Sequence, residues 1–337
     1  MEQPNQRGSA RTPAAGRKAR RSLREVPRSC LLRRRCLLLC LLFLLSGPAV
    51  VVRAASGGRT PAFPADRAWT HLEAQCRFGP RVPGTPAHQS CLSYLQSALE
   101  GTGGEVLTHR FRAAPGDGKP ELVLTNVLAR FGSGGAPLLL VAHWDSRPRA
   151  DQDPDPANRA RPITGANDGA SGTAVLLALA ETFRDDPPPL PVEILLVDGE
   201  DQGEEGDEAG YLLGSREHAS RLVPPYPRAV LVLDMVGGKD MRICREAYSE
   251  QYAKSLNDLI FARAMALRLP AFEDEVCHAV FDDHIPFLQR GIPAVDLIDF
   301  DYRQWHTLGD LPGACTKDSL DQLGRLLVDL LYGGQLQ

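Results

Sequence analysis

The sequence predicts an α/β fold in a single domain, with a central mixed, mostly parallel sheet flanked by helices. Two observations carry this prediction. Apolar runs of strand length alternate with amphipathic stretches of helix length, and acidic or histidine side chains follow the ends of several strand-like runs. Alternation of this kind is typical of parallel strands that are covered by helices on both faces. In such sheets, ligands bind beyond the carboxyl ends of the strands.

The predicted elements follow one another in a regular order. Two helix-like stretches come first, at residues 65–77 and 86–99, with a turn rich in proline and glycine between them. The strand-like runs are short and apolar, and they lie at residues 122–131, 138–143, 192–198, 229–236 and 294–298. The further helix-like stretches lie at residues 171–183, 215–222, 250–267 and 319–331.

Charge is distributed unevenly along the 337 residues, whose net charge is -4. Residues 1–55 hold twelve basic and two acidic side chains, a charge of +10, while the remaining 282 residues hold 26 basic and 40 acidic ones, a charge of -14. An acidic domain repels a phosphate backbone, so a nucleic-acid partner is excluded. We therefore divide the chain into a basic leader, residues 1–55, and a catalytic domain, residues 56–337.

The leader has the pattern of a secretory signal. Seventeen residues without charge, 36–52, follow three arginines at 33–35 and precede small residues at 54–56. The dense leucine stretch covers only residues 36–45, short of the roughly 20 residues of a membrane span. One interpretation is a cleavable signal on an exported protein, periplasmic or secreted. The alternative is an uncleaved type II anchor in a secretory-pathway or inner membrane, which would be the chain's only membrane contact.

The domain contains five cysteines, at positions 76, 91, 244, 277 and 315. The number is odd and no CxxC pair occurs, so neither a disulfide framework nor a cysteine-rich zinc site is indicated. A single bridge such as Cys76 to Cys91 is compatible with an oxidising compartment, and buried free thiols are equally compatible with the sequence.

Metal-binding residue types recur at the predicted strand ends and at one helix start. They are His143 and Asp145 in HWDS, Asp168 in GANDGASG, Glu200 and Asp201 in VDGED, Asp234 in LDMV and His306 in WHT. A single such carboxylate is more often a turn or helix-capping residue, and Asp168 alone is explained by capping the helix that starts near Ala170. Because seven such residues occur in five successive motifs, we predict a catalytic zinc site of carboxylates and imidazoles.

The adjacent residues Glu200 and Asp201 are predicted to have different roles in the site. Neighbouring residues point to opposite sides of an extended chain unless the backbone turns between them. A turn at this strand end would let Asp201 bind the metal while Glu200 faces the substrate as a proton carrier. Asp145 lies two residues after His143, where it is suited to accept a ring N–H of an imidazole and to orient it.

At this point the motifs HWDS, GANDGASG, VDGED, LDMVGG, DDHIPF and WHT show a family resemblance. They resemble those of the co-catalytic zinc aminopeptidase family and, within it, the glutaminyl cyclases, particularly the bacterial type, over residues 66–335. The resemblance implies a zinc aminopeptidase-like fold and one catalytic Zn²⁺ per chain. It also implies an acyltransferase that converts the N-terminal glutamine of peptides and proteins to pyroglutamate and releases ammonia.

The resemblance also assigns roles to residues of this chain. It makes Asp168, Asp201 and His306 the zinc ligands and Glu200 the general acid/base. Asp234 and Asp282 would form a hydrogen-bonded acidic pair that supports proton transfer, with Asp283 a neighbour that the motif does not separate from Asp282. The animal members carry glutamate where this chain has Asp201, which agrees with the bacterial type.

Aromatic residues are predicted to build the substrate pocket. By the resemblance, Trp305 would line the space that receives the glutamine side chain. Tyr211, Phe300 and Tyr302 are further candidate walls from their positions near the motifs. The long stretch 146–164 leads into Asp168, so we expect it to form a rim of this pocket.

The alternative function is a secreted aminopeptidase with two zinc ions. Asp168 would bridge the metals, His143 and Asp234 would hold one, Asp201 and His306 the other, and Glu200 would activate a bridging water. Three features favour the cyclase: the aromatic wall that Trp305 supplies, the acidic partner that Asp282 gives to Asp234, and motif sequences that resemble those of cyclases more than those of aminopeptidases. A catalytically silent binding module is the third possibility, which the complete set of ligands and the presence of Glu200 disfavour.

Overall fold

The computed structural model describes residues 60–116, 118–204 and 206–336. The leader predicted at residues 1–55 lies outside this part of the chain, so both interpretations of it remain predictions. In the described residues, no helix combines the length and the apolarity that crossing a bilayer requires.

Eight α-helices and eight strands are present in the described residues. The helices are α1 (Ala65–Arg77), α2 (Pro86–Glu100), α3 (Ala170–Asp185), α4 (Leu213–Arg221), α5 (Ala247–Tyr252), α6 (Lys254–Ala266), α7 (Ile285–Gln289) and α8 (Lys317–Tyr332). The strands are β1 (Glu105–Ala113), β2 (Leu122–Phe131), β3 (Leu138–His143), β4 (Val192–Val197), β5 (Ala229–Asp234), β6 (Ile243–Glu246), β7 (Phe272–His278) and β8 (Ala294–Ile298).

A six-stranded sheet with the order β1-β2-β4-β3-β5-β8 forms the centre. Pairing is antiparallel between β1 and β2 and between β2 and β4, and it is parallel between the other neighbours. The predicted fold class, a mixed and mostly parallel sheet flanked by helices, is therefore confirmed. The register pairs His143 with Val197 and Asp234 with Ile298, so four strands end side by side at one edge.

Both faces of this sheet are buried, as continuous apolar strands require. Along β3, Leu138, Leu140 and Ala142 face the large core that also contains buried residues of α1, α3 and α8. The alternate residues Leu139 and Val141 face a second apolar cluster with buried residues of α4 and α7. The two clusters hold the parallel strands between them, which fixes the edge where the polar side chains collect.

The sequence did not predict every element. Strand β1 is largely exposed at the sheet edge, and β6 and β7 form a separate two-stranded sheet in which β7 is mostly exposed. Such strands need few apolar residues, so their pattern is weak. The single helix predicted at residues 250–267 is two helices, α5 and α6, because the backbone at Ala253 leaves the helical conformation.

The suggested Cys76–Cys91 bridge is wrong. Both thiols are free, and a disulfide instead joins Cys244 of β6 to Cys277 of β7. These two cysteines are 33 residues apart in sequence, and the pairing of β6 with β7 brings them together. Sequence proximity was therefore a poor guide to the pairing.

Helix α3 packs unusually closely on the parallel strands. A Cβ atom added at Gly172 would lie 2.2 Å from the carbonyl oxygen of Leu233 and 3.1 Å from the Cβ of Ala142. Only glycine permits this approach, and the approach brings the start of α3 to the carboxyl edge of the sheet.

We expect Gly172→Ala to destabilise the fold by about 1–3 kcal/mol, because the added methyl group meets backbone that cannot move aside. Equilibrium unfolding in urea measures this change. The matched control is Gly101→Ala at the end of α2, where φ is -65° and the added atom would lie 3.4 Å from the nearest carbonyl oxygen. Equal stability of the two variants would contradict the role given to the close packing of α3.

Candidate metal centre

The strand ends gather the metal-binding side chains that the sequence singled out. One ligand atom from each of Asp168, Asp201 and His306 lies within 4.8 Å of the others, and all three side chains are buried. His143, Asp168 and Asp234 form a second group by the same measure, so Asp168 belongs to both. The structure therefore brings together both ligand groups considered above. The group Asp168, Asp201 and His306 is the one predicted for a single zinc ion, and the group His143, Asp168 and Asp234 is the one predicted for a second ion.

Asp168 does not cap helix α3. The residue before that helix is Gly169, and no side chain makes a capping hydrogen bond there. The Asp168 side chain is buried, its Oδ1 lies 3.2 Å from His143 Nε2, and its Oδ2 has no hydrogen-bond partner. A buried carboxylate oxygen without a partner is costly unless a cation neutralises it. The capping explanation is therefore excluded, and a cation remains.

Asp201 and His306 complete the first group. His306 Nε2 lies 3.4 Å from Asp201 Oδ1 and 3.7 Å from Asp168 Oδ2, and Asp201 Oδ2 has no hydrogen-bond partner. Burial opposes protonation of His306, but the charges of Asp201, Asp151 and Asp168 outweigh it and raise its pKa to about 9.

Backbone strain accompanies the same residue. His306 has φ 53°, in the left-handed region that residues with side chains seldom adopt. Its carbonyl accepts a hydrogen bond from the backbone N–H of Gln152, and Trp305 stacks on its ring with 3.9 Å between ring centroids. Strain that is held in place by neighbours in this way is characteristic of functional sites.

The donor set fits zinc. Both groups offer carboxylate oxygens and imidazole nitrogens without thiolates, which is the composition of catalytic rather than structural zinc sites. Burial and repulsion from Asp201 raise the pKa of Asp168, as expected for acids that are close together with no cation between them. A divalent ion would relieve both the repulsion and the unpartnered oxygens.

Strand β4 ends at Val197, and the chain bends at Asp198 and at Glu200, so the predicted turn is present; the different roles of Glu200 and Asp201 stay a prediction. Asp145 holds this turn, because its carboxylate accepts the backbone N–H groups of Glu200 at 3.2 Å and Asp201 at 3.4 Å and the Nε2–H of Gln202 at 2.9 Å. His143 and Asp145 face each other as the sequence predicted, but His143 Nδ1 lies 3.6 Å from Asp145 Oδ1, so they form an ion pair that is longer than a hydrogen bond.

Glu200 faces a cavity of about 250 Å³ with the candidate ligands at one end. Burial, together with the charges of Asp201, Asp282 and Asp283, raises the pKa of Glu200 well above its ordinary value. A carboxyl group in this state holds a proton more readily than an exposed glutamate, which is what a proton carrier near neutral pH requires.

Aromatic side chains form much of the cavity wall. Trp305, Tyr211 and Phe300 line it as predicted. An isolated backbone bridge pairs Asp201 with Tyr211, so the loop between them folds back and returns Tyr211 to the site. Tyr302 is not in the wall. It is buried, and its hydroxyl donates to Asp310 at 2.8 Å.

Asp234 and Asp282 line the same cavity. Asp234 Oδ1 accepts a hydrogen bond from His143 Nε2 at 3.2 Å, and burial and repulsion from Asp234 raise the pKa of Asp282 to about 6. The predicted hydrogen bond between the two acids is not found, because Asp282 Oδ1 accepts from the backbone N–H of Asp283 and Asp282 Oδ2 has no partner. Asp283 is also buried, but it does not line the cavity. The structure thus distinguishes Asp282, which lines the cavity, from Asp283, which the motif alone did not do.

The stretch 146–164 is not the rim that the sequence predicted. It does not line the cavity and instead packs behind the ligands, where Arg147 contacts Asp201 and Asp151 contacts His306. We call residues 146–164 the backing loop. The physical reason is that a charged segment beside buried carboxylates is stabilised more by pairing with them than by facing solvent.

Several residues of the site were missed. Asp310 supports the candidate ligand Asp168, because its carboxylate accepts the backbone N–H groups of Asn167 at 2.8 Å and of Asp168 at 3.1 Å. Phe281 lines the cavity. Phe281 directly precedes DDHIPF and Asp310 lies four residues after His306, so position next to a motif was an available signal for both.

Comparisons with known proteins agree with this geometry. Peptidase family M28 matches residues 126–331. The glutaminyl-peptide cyclotransferase-like protein of Bos taurus is 26% identical over 282 residues, which cover 74% of this chain and 71% of that one.

Solved structures give a closer likeness. The glutaminyl cyclase of Bacteroides thetaiotaomicron, bound to N-acetylhistamine, is 32% identical with a TM-score of 0.78, covering 81% of this chain and 99% of that one. A leucine aminopeptidase precursor from the same organism is 33% identical with a TM-score of 0.78, covering 81% and 98%. Because both kinds of relative share the fold equally, the chemistry of the cavity has to distinguish the reactions.

Proposed function

Since the chain belongs to peptidase family M28 and, within it, to the glutaminyl cyclases, we propose that it is a zinc-dependent glutaminyl-peptide cyclotransferase. Its substrates would be peptides and proteins that begin with glutamine. The observation that carries the proposal is the combination of a buried three-ligand group with a proton-holding Glu200 at a small aromatic cavity. At about 250 Å³, this cavity is smaller than the 300–1,000 Å³ of drug-sized ligand sites, which suits one terminal side chain.

Asp168, Asp201 and His306 would hold the zinc ion. When bound, zinc would act as a Lewis acid that polarises the side-chain carbonyl of the substrate glutamine. Each ligand has its own support in the chain, from Asp310, from Arg147 and from Asp151 respectively. Supports of this kind keep a catalytic site in its productive geometry.

Glu200 would carry the proton in cyclisation. The α-amine nitrogen of the substrate forms a bond to the side-chain carbonyl carbon, and the bond from that carbon to the amide nitrogen breaks. Glu200 accepts the proton that the amine loses and donates it to the leaving nitrogen, which departs as ammonia. Asp282 and Asp234 line the same cavity as Glu200, and the charge of Asp282 helps to raise the pKa of Glu200.

The aromatic wall would decide what attacks the carbonyl carbon. Trp305 stacks on His306, and Phe300 lies against Trp305 with 5.3 Å between ring centroids. These rings leave an apolar surface beside the candidate ligands, where water is poorly held. Ring closure by the substrate's own amine is thereby favoured over hydrolysis to glutamate.

The second candidate function is a two-zinc aminopeptidase. The group His143, Asp168 and Asp234 supports it, because it offers a complete set of ligands for a second ion. We propose that Asp282, whose pKa burial and the charge of Asp234 raise to about 6, is an acidic partner of Asp234 and competes with a second metal there.

One assay separates the two functions. We expect the purified protein to release ammonia from a glutamine-initiated peptide, to release no amino acid from an alanyl- or leucyl-peptide amide, and to contain one zinc ion per chain. Ammonia, free amino acid and zinc are measured on the same preparation. Release of amino acid together with two tightly held zinc ions would refute the cyclase.

A second prediction concerns the proton carrier. We expect Glu200→Gln to lower kcat by about 10²–10⁴-fold, because the amide cannot relay a proton, while zinc content stays unchanged. The matched control is Glu208→Gln, since Glu208 lines the same cavity but is exposed and has no part in the proposed proton transfer. Equal loss of kcat in both variants, or none in Glu200→Gln, would contradict the assignment.

We also propose that the enzyme acts outside the cytoplasm. The predicted leader supports this location, and so does the Cys244–Cys277 disulfide, because such bonds persist in oxidising compartments. N-terminal sequencing of the protein from fractionated cells should find either a new terminus near residues 54–56 or an intact chain in a membrane fraction. An intact chain in the cytoplasmic fraction would contradict the proposal.

A further inference from the structure

Arg147 of the backing loop is the most completely bonded side chain around the site. It is buried, and all five of its N–H groups have an acceptor. Nε and Nη2 donate to the two oxygens of Asp151 at 2.9 and 2.5 Å, and Nη2 also donates to the hydroxyl of Tyr211 at 3.1 Å. Nη1 donates to Oδ1 of Asp201 at 2.5 Å and to its carbonyl oxygen at 3.4 Å.

These bonds fix the carboxylate of Asp201. The guanidinium contacts one of its oxygens and the backbone of the same residue, so the carboxylate plane cannot rotate freely. The other oxygen, Oδ2, has no hydrogen-bond partner. The two oxygens are therefore not equivalent, since Arg147 holds Oδ1, the oxygen that lies 3.4 Å from His306 Nε2, and leaves Oδ2 without a partner.

The same guanidinium reaches His306 through Asp151. Asp151 Oδ1 accepts from Arg147 Nε at 2.9 Å and lies 3.3 Å from His306 Nδ1. A carboxylate on the far nitrogen of an imidazole sets the rotation of the ring and the nitrogen that is free to bind. Arg147 thus supports Asp201 directly and His306 through one intermediate, whereas Asp168 is supported separately by Asp310.

We propose that Arg147 is a positioning residue that orders two of the three candidate zinc ligands, Asp201 by direct contact and His306 through Asp151. The inference rests on the proposed zinc centre. It concerns an interaction that the sequence motifs did not contain, since Arg147 and Asp201 are 54 residues apart.

The charge of Arg147 and its positioning role predict opposite changes in zinc affinity when Arg147 is replaced, so the proposal can be tested. Loss of a buried positive charge leaves Asp201 and Asp151 unneutralised, and charge alone then predicts tighter binding of a divalent cation. Loss of the fixed geometry predicts weaker binding. Comparable supporting residues around metal ligands contribute about 10–100-fold to affinity or activity.

The experiment measures zinc affinity by chelator competition in the full chain and in Arg147→Met, Arg147→Lys and Arg149→Met. We expect Arg147→Met to weaken zinc binding by about 10–100-fold. We expect Arg147→Lys to weaken it as well, because an ammonium group keeps the charge but cannot bridge Asp201 and Asp151 as the planar fork does. Arg149→Met is the matched control, since Arg149 donates to the carbonyl of Gly203 and contacts no candidate ligand.

A second readout reports the coordination directly. In the cobalt-substituted protein, the visible spectrum of Arg147→Met should differ from that of the parent, because the carboxylate of Asp201 is no longer held by the guanidinium. Unchanged or tighter zinc binding in Arg147→Met, or full affinity in Arg147→Lys, would overturn the positioning role. If the parent chain binds no zinc, the proposed metal centre itself fails, which is a distinguishable result.

Should Arg147→Met fail to fold, Asp151→Ala provides the same test at a side chain that is 27% exposed. It leaves the contact between Arg147 and Asp201 in place and removes the support of His306. We expect weaker zinc binding with thermal unfolding close to that of the parent. Parent-like affinity in this variant would refute the role given to the connection from Arg147 through Asp151 to His306.

Discussion

Buried negative charge without enough positive charge to neutralise it is the constraint on which this site depends. Asp145, Asp168, Asp201, Asp282 and Asp283 are almost completely buried at one edge of the sheet. Such a concentration of carboxylates is tolerated only when hydrogen bonds, protons or cations compensate it. Backbone N–H groups compensate Asp145, Arg147 compensates Asp201, and raised pKa values at Glu200 and Asp282 favour protonation of those two acids. The Oδ2 atoms of Asp168 and Asp201, both proposed zinc ligands, have no hydrogen-bond partner.

The sequence predicted those parts of the fold whose side chains are buried on both faces. Strands β3 and β8 begin and end where the apolar runs do, because a strand between two layers of helices must be apolar throughout. Strands β1 and β7 were not predicted because their exposed positions tolerate polar residues. The disulfide was mispredicted because the contact between β6 and β7, and not distance along the chain, brings its cysteines together.

The candidate ligands were predictable for a similar reason. Parallel strands end at a common edge, so a polar residue at each end has few other places to go. The groups that support the ligands were not predictable. Arg147 and Asp151 reach the site only through the path of the backing loop, and nothing in the spacing of the motifs determines that path. The ligands thus follow from topology, whereas their supports follow from tertiary contacts.

The hydrogen bonds of Asp145 carry a consequence for how this site can change. One carboxylate holds the backbone of both the proposed proton carrier, Glu200, and the proposed ligand, Asp201. Substitutions at these three positions are therefore coupled, and their effects will not add. A change of reaction that keeps the proposed zinc ligands in place therefore has to preserve this turn. It can act instead through wall residues that hold no ligand, such as Phe300, which lines the cavity and packs on Trp305.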